Sequence, residues 1–280
     1  MLDALSENSS FELSSLDWLL IHHRAKEKER RRMVEDLPLE PGDIVLDLGC
    51  GPGLWTSLLA ERVSPGGQVI GLDASPELLE YAERCRKDDP HGNLISFREG
   101  DFYSIPYPRE YFDLVFFSNC FVYARDPIVL LQEQKRVVRK GGVIVGKHFD
   151  NTFIWFHPVD TLLAFRVMAA AERALRERPS SRFFDNSFGQ KMHGVFLRTG
   201  FREVRTITYA IQKIAPLTSE ARDYVESTAN WYGDTGAPYL SRRDLSAWKS
   251  HFDPSSSNYI VERDDFYLCM LEMQTMGTSS

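Results

Sequence analysis

The sequence predicts an α/β protein built on a doubly wound parallel sheet with an antiparallel edge. Three observations predict it. Short apolar runs alternate with helical patterns from Ile44 to Phe149, turn residues punctuate each change, and two long alternating stretches close the chain. Each parallel strand must be reached by a crossover, and the helical patterns supply those crossovers.

The elements follow in order. "SSLDWLLIHHRAKEKERRRMVEDL" reads as a helix with Leu13, Leu16 and Leu20 on one face, and Ser14 with Asp17 resembles a capping box. Pro38, Pro41 and Gly42 break it. "IVLDL" is the first strand, and "LWTSLLAERV" a helix stopped by "SPGG". "QVIGLD" is the second strand. "SPELLEYAERCRK" is a helix with Ser75 as N-cap and Pro76 in its first position. "LISFREG" and "FDLVFFSN" are the third and fourth strands. "DPIVLLQEQKRVVRKGG" is a helix capped by Asp126, opened by Pro127, basic in its last turn and ended by glycines. "VIVGKHF" is the fifth strand.

Beyond it, "VDTLLAFRVMAAAERALRER" and "NSFGQKMHGVFLRTG" are helices, the second ended by Gly200. "FREVRTITYAIQ" and "NYIVERDDFYLCMLEMQT" alternate like strands, with helical or loop material from Pro216 to Ser257 between them. Such a final pair suits an antiparallel edge. The expected organisation is an N-terminal helical extension at 1–37, a cofactor core at 38–150, and a remainder at 151–280. That remainder finishes the sheet within the same domain and carries inserts at about 151–187 and 216–257.

Composition narrows the function classes. The 280 residues are 43% hydrophobic and 26% charged, as in ordinary globular proteins, with a formal charge of −7. That charge argues against nucleic acid as a partner, since phosphate backbones reward clustered Lys and Arg. The one basic run, Arg24 to Arg32, is interleaved with Glu27 and Glu29 and reads as a solvated helix face. Cys50, Cys85, Cys120 and Cys269 are too widely spaced for a metal framework or a disulfide scaffold. No apolar run is long enough for a bilayer, and the start lacks a secretory pattern. A cytoplasmic protein without metal or membrane is expected, and a homo-oligomer is left open.

"IVLDLGCGPGLWT" concentrates the chemistry. In an open parallel sheet the ligand sits beyond the carboxyl ends of the strands, so the turn after the first strand is the natural cofactor site. Gly49, Gly51 and Gly53 let a ligand approach the backbone. A dinucleotide fingerprint would carry Gly or Ala at position 54, where Leu54 stands. Asp47, at the strand's end, would repel a pyrophosphate and attract the ammonium or sulfonium of S-adenosylmethionine. Asp73, followed by Ala74, closes the second strand and can accept from ribose hydroxyls of either cofactor. Asp101 could accept from the adenine amino group, with Phe102 against the ring.

The series "LDLGCGPG", "VIGLDASPELLEYA", "REGDFYSIPYPREYFDLVFFSNCFVYARDP" and "RVVRKGGVIV" resembles the class I S-adenosylmethionine-dependent methyltransferases. It is most similar to their small-molecule branch, which includes ubiquinone and natural-product enzymes. The resemblance runs from Pro38 to Phe149. It implies a Rossmann-like sheet of seven strands with the last antiparallel, and S-adenosylmethionine as cofactor. It also implies that Ser118 and Asn119 meet the methionine moiety, chiefly through backbone. In such families an N-terminal helix often covers the cofactor, so Trp18 and Arg24, beside His22 and His23, become cofactor candidates; a packing or dimer helix is the alternative.

Methyl transfer is an in-line displacement that needs alignment, and a base only where the acceptor's proton must leave early. Tyr123 and His148 are the base candidates of choice; Asp150 and His157 are alternatives, and His193 reads as structural. Phe153, Trp155, Phe156, Phe183, Phe184, Trp231, Tyr232 and Tyr239 cluster in the predicted inserts. Their concentration suggests a cap over a small, apolar or aromatic acceptor, as in secondary metabolism. A cofactor-fold enzyme that cyclises or rearranges a natural product, and an NAD(P)-dependent oxidoreductase, are the alternatives.

Overall fold

The strand run ending at Asp47 and Leu48 is laid down as expected. In the computed structural model, which describes residues 14–177 and 185–280, β1 spans Ile44–Leu48 and is buried at every position but the first. A central parallel strand is covered on both faces, hence its unbroken apolar run. There follow α3 (Leu54–Val63), β2 (Gln68–Asp73), α4 (Pro76–Arg86), β3 (Ile95–Glu99), β4 (Phe112–Ser118), α5 (Pro127–Val137) and β5 (Val138–His157). Two helices precede them, α1 (Leu16–Ala25) and α2 (Glu27–Glu35). After β5 come α6 (Thr161–Glu177), α7 (Met192–Arg198), β6 (Arg202–Ile214), α8 (Ser219–Gly236), α9 (Arg242–Phe252) and β7 (Tyr267–Thr278).

The seven strands form one sheet in the order β3-β2-β1-β4-β5-β7-β6. β1 to β5 are parallel neighbours, with Asp47 opposite Gly71 on one side and Phe116 on the other. The order reverses between β1 and β4, which puts the turns after Leu48 and Ser118 at the switch point. β7 is antiparallel. Bonds from Thr278 to Glu203, Thr206 to Thr275 and Gln212 to Tyr267 step up β6 as they step down β7.

The predicted caps form. Ser75 Oγ accepts from the Leu78 amide, and Asp126 Oδ1 from those of Ile128 and Val129. Several boundaries differ from the sequence reading, among them that of the helix read over "NSFGQKMHGVFLRTG", which is α-helical only over Met192–Arg198. The first helix is two, interrupted at Lys26 (φ −118°, ψ 17°), and its cap is Ser15, not Ser14, because Ser15 Oγ accepts from Trp18 N. Leu13 lies outside the described residues. α5 ends at Val137 before the glycines, since Val138 already pairs with Phe112 across the sheet. β5 continues through "NTFIWFH", which is strand and not an insert. β7 begins at Tyr267 and not at Asn258; the segment before it turns back, with Ile260 N donating to His251 O.

The chain forms two compact units. The first comprises Glu27–Phe149, Ser187–Tyr209 and Glu272–Ser280, and carries the glycine turn. Its core is the sheet's filling of Val45, Leu46, Val69, Phe112, Phe116 and Ile144, all nearly inaccessible. The second takes in α1, residues 150–186 and 210–271, as far as they are described. There Phe156 meets Trp248 and Phe252 edge-on at 5.4 and 5.3 Å, and Trp248 Nε1 donates to Ala229 O at 2.8 Å. Burying that indole without its N–H partner would be costly.

Candidate functional site

The turn after β1 is held by its own backbone. Gly49 N and Cys50 N both donate to Leu72 O, at 2.7 and 3.2 Å, which ties the turn to the end of β2. Gly49 has φ 69°, and a Cβ there would lie 2.4 Å from Cys120 Sγ. Gly53 has φ 78°, and its Cβ would lie 2.8 Å from Phe97 Cζ. Both positions therefore demand glycine twice over, by dihedral and by space. Gly51 contributes its N–H, which donates to Asp73 Oδ2 at 2.8 Å.

Two carboxylates stand at the carboxyl ends of these adjacent strands. Asp47 is 1% exposed and accepts from Thr56 Oγ1 at 2.6 Å. Burial pushes its carboxyl up to about 7; the Thr56 bond opposes that and the charge of Asp73 adds to it. Asp73 is also raised by burial, against backbone N–H bonds from Ser75, Gly51 and Ala74. Its two oxygens accept from different amides, Oδ1 from Ser75 and Oδ2 from Gly51. Each oxygen keeps a second lone pair, so the carboxylate is aimed and still able to accept from a diol. Crowded, desolvated acids of like charge favour a cationic guest and disfavour a diphosphate.

The other predicted cofactor residues sit on the same unit. Asp101 forms a turn in which Oδ1 accepts from Tyr103 N at 2.8 Å, and Phe102 tilts against Tyr103 at 4.9 Å. Ser118 ends β4 with its hydroxyl oxygen buried and without a hydrogen-bond partner among the described residues. Asn119 follows in the left-handed region (φ 59°), its N–H donating to Lys147 O at 2.8 Å. Left-handed asparagine is tolerated where its short side chain bonds locally. Tyr123 closes a short turn, its N–H on Cys120 O. His148 is fully buried beside Phe149 and Phe188, and its Nδ1 donates to Phe149 O at 2.7 Å.

Trp18 and Arg24 lie on α1, in the other unit. Trp18 stands 4.0 Å from His22, whose ring meets Tyr224 of α8 edge-on, and Arg24 is exposed. Asp150 is buried and accepts from Thr152 N at 3.0 Å. His157 is a surface group paired with Asp265 at 3.7 Å, and His193 bonds Thr206. The aromatic clusters divide. Phe156 and Tyr232 are core residues of the second unit, Tyr232 donating to Asn151 O, so neither lines an open pocket as expected. Trp231 rests edge-on to Tyr232. Phe153, Trp155 and Tyr239 are exposed, and Phe183 and Phe184 lie outside the described residues.

The sequence reading missed Thr56, Cys120 and the buried pair Lys147–Glu272. Thr56 had a local signal, a hydroxyl in the first turn of the helix after Asp47. The others had none, because their partners are far away in the chain.

The methyltransferase domain family matches residues 46–146. A demethylmenaquinone methyltransferase of Symbiobacterium thermophilum is 31% identical over 190 residues, covering 63% of this chain and 75% of that protein. An uncharacterized 37.1 kDa protein in transposon TN4556 of Streptomyces fradiae is 30% identical over 213 residues, covering 76% of this chain. This chain spans just over half, 56%, of that relative's length. Among solved structures, the YcgJ protein of Bacillus subtilis is similar in fold, with a TM-score of 0.57 at 17% identity over 90% of this chain and 98% of its own.

Proposed function

This chain belongs to the class I S-adenosylmethionine-dependent methyltransferases, and on that premise we propose that it transfers a methyl group from S-adenosylmethionine to a small, apolar or aromatic metabolite. One observation carries the cofactor reading: the desolvated Asp47 at the mouth of a glycine turn whose other acid, Asp73, is already aimed by two amides.

In this reading Asp73 accepts from the ribose hydroxyls beside Ala74, Asp101 and Phe102 take the adenine, and Asp47 faces the ammonium. The Ser118 hydroxyl and the backbone of Ser118 and Asn119 take the rest of the methionine half; the orphaned Ser118 oxygen supports a polar ligand atom there. When bound, the cofactor supplies an electrophilic methyl on a sulfonium. What the chain adds is orientation, which in well-aligned systems is worth about 7–11 kcal/mol. Where the acceptor must lose a proton early, Tyr123 or His148 is proposed to take it; the imidazole, with Nδ1–H on a carbonyl, presents Nε2 as its basic nitrogen.

The acceptor class is supported by the Symbiobacterium relative, which by its name methylates demethylmenaquinone. We place the chain in small-molecule biosynthesis in the cytoplasm; no helix among the described residues is long and apolar enough to cross a membrane. Two measurements test the proposal. Calorimetry should show binding of S-adenosylhomocysteine and none of NADH, and NADH binding alone would overturn the cofactor. Incubation with S-adenosylmethionine and an apolar metabolite panel should release S-adenosylhomocysteine. Turnover of a panel compound without that product would point instead to cyclisation or rearrangement.

A further inference from the structure

The middle of β5 and the facing part of β7 share a charged pair that the cofactor contacts above do not use. Lys147 and Glu272 are each 1% exposed, and Lys147 Nζ lies 2.6 Å from Glu272 Oε2 across the antiparallel β5–β7 pair. The ammonium also donates to Asn119 Oδ1 at 3.3 Å and stands 5.9 Å from the centre of the Trp55 ring. The same lysine's carbonyl accepts from Asn119 N at 2.8 Å. One residue thus holds both the main chain and the side chain of Asn119, in a left-handed conformation (φ 59°) that an asparagine adopts at a cost.

Stability is a weak reason for such a pair. Removing two charges from water costs several kcal/mol per ion, and apolar residues of similar volume often replace buried pairs neutrally or better. What apolar residues cannot supply is a fixed donor for Asn119 Oδ1. Glu272 in turn offers the ammonium an opposite charge at 2.6 Å, so the donor is paired where no water reaches it.

We propose that Lys147, paired with Glu272, is a positioning residue: it fixes the Ser118–Asn119 turn so that its backbone meets the amino-acid half of the cofactor. The inference rests on the cofactor reading above. It makes an asymmetric prediction, because the lysine acts on one half of the ligand and leaves the adenosine half, held by Asp73 and Asp101, untouched.

The test is calorimetry on the full chain with two ligands, S-adenosylhomocysteine and methylthioadenosine, which lacks the amino-acid moiety. In Lys147→Met, affinity for S-adenosylhomocysteine should fall by about tenfold or more, the scale of one lost charge-assisted bond. Affinity for methylthioadenosine should stay within about twofold, a difference of under half a kcal/mol. Should the single variant fold poorly, Lys147→Met combined with Glu272→Leu removes the stranded acid. That double variant should melt at or above the single variant and still show the selective loss. An equal loss of both ligands, or no loss of S-adenosylhomocysteine, overturns the positioning role while leaving the cofactor reading intact. Wild-type protein that binds neither ligand overturns both.

Discussion

Asp47→Asn should make this protein more stable and less able to bind its cofactor, and both effects should be governed by pH. The carboxyl is pushed from 3.8 up to about 7, chiefly by burial. A cationic guest requires the ionised form, so affinity should scale with the ionised fraction. At pH 6 the dissociation constant should be about 11 times its high-pH limit and at pH 8 about 1.1 times, a tenfold change or about 1.4 kcal/mol. Stability runs the other way. A carboxyl whose pKa is higher in the folded chain than in the unfolded one binds its proton more tightly when folded. Its contribution is therefore complete below about pH 4 and is lost as pH rises toward about 7, to a total of about 4 kcal/mol. An asparagine escapes that loss and can still bond Thr56.

The assay is titration calorimetry with S-adenosylhomocysteine at pH 6, 7 and 8, paired with thermal melts of the ligand-free protein at the same pH values. Wild type should gain about tenfold in affinity from pH 6 to 8. Asp47→Asn should bind weakly with that slope removed, and should melt above wild type at pH 8. Whatever else changes with pH is shared by both proteins, so the difference between the two isolates Asp47. A wild-type affinity that is flat with pH, or an identical slope in the variant, would refute the reasoning.

Two further perturbations test the scaffold. Gly53→Ala should cost about 1–3 kcal/mol through the left-handed dihedral alone, and Phe97→Leu in the same chain should recover only the steric part set by the 2.8 Å approach; full recovery in denaturant titrations would show that the dihedral costs nothing. Gln134 is wholly inaccessible on α5, and neither atom of its amide has a hydrogen-bond partner among the described residues. Gln134→Met should therefore raise stability by about 1–3 kcal/mol, and a lowered melting temperature would show that the amide is satisfied.

The sequence by itself determined whatever is encoded within about one turn or strand of the residue concerned. Apolar runs set β1 to β4, Ser75 and Asp126 set their helix starts, and the acid–glycine–acid spacing from Asp47 to Asp73 placed the cofactor turn. These are local choices of dihedral, cap and side-chain alternation, and neighbours in the chain suffice to make them. Only the tertiary structure decided that β5 runs on to His157, since "NTFIWFH" becomes a strand by pairing and burial and not by its own propensity. It alone decided that Phe156 and Tyr232 belong to a core, that Cys120 makes Gly49 indispensable, and that Lys147 meets Glu272 across 125 positions. Charge pairing, burial and steric exclusion act through space, where residues remote in the chain become neighbours only once the sheet has formed.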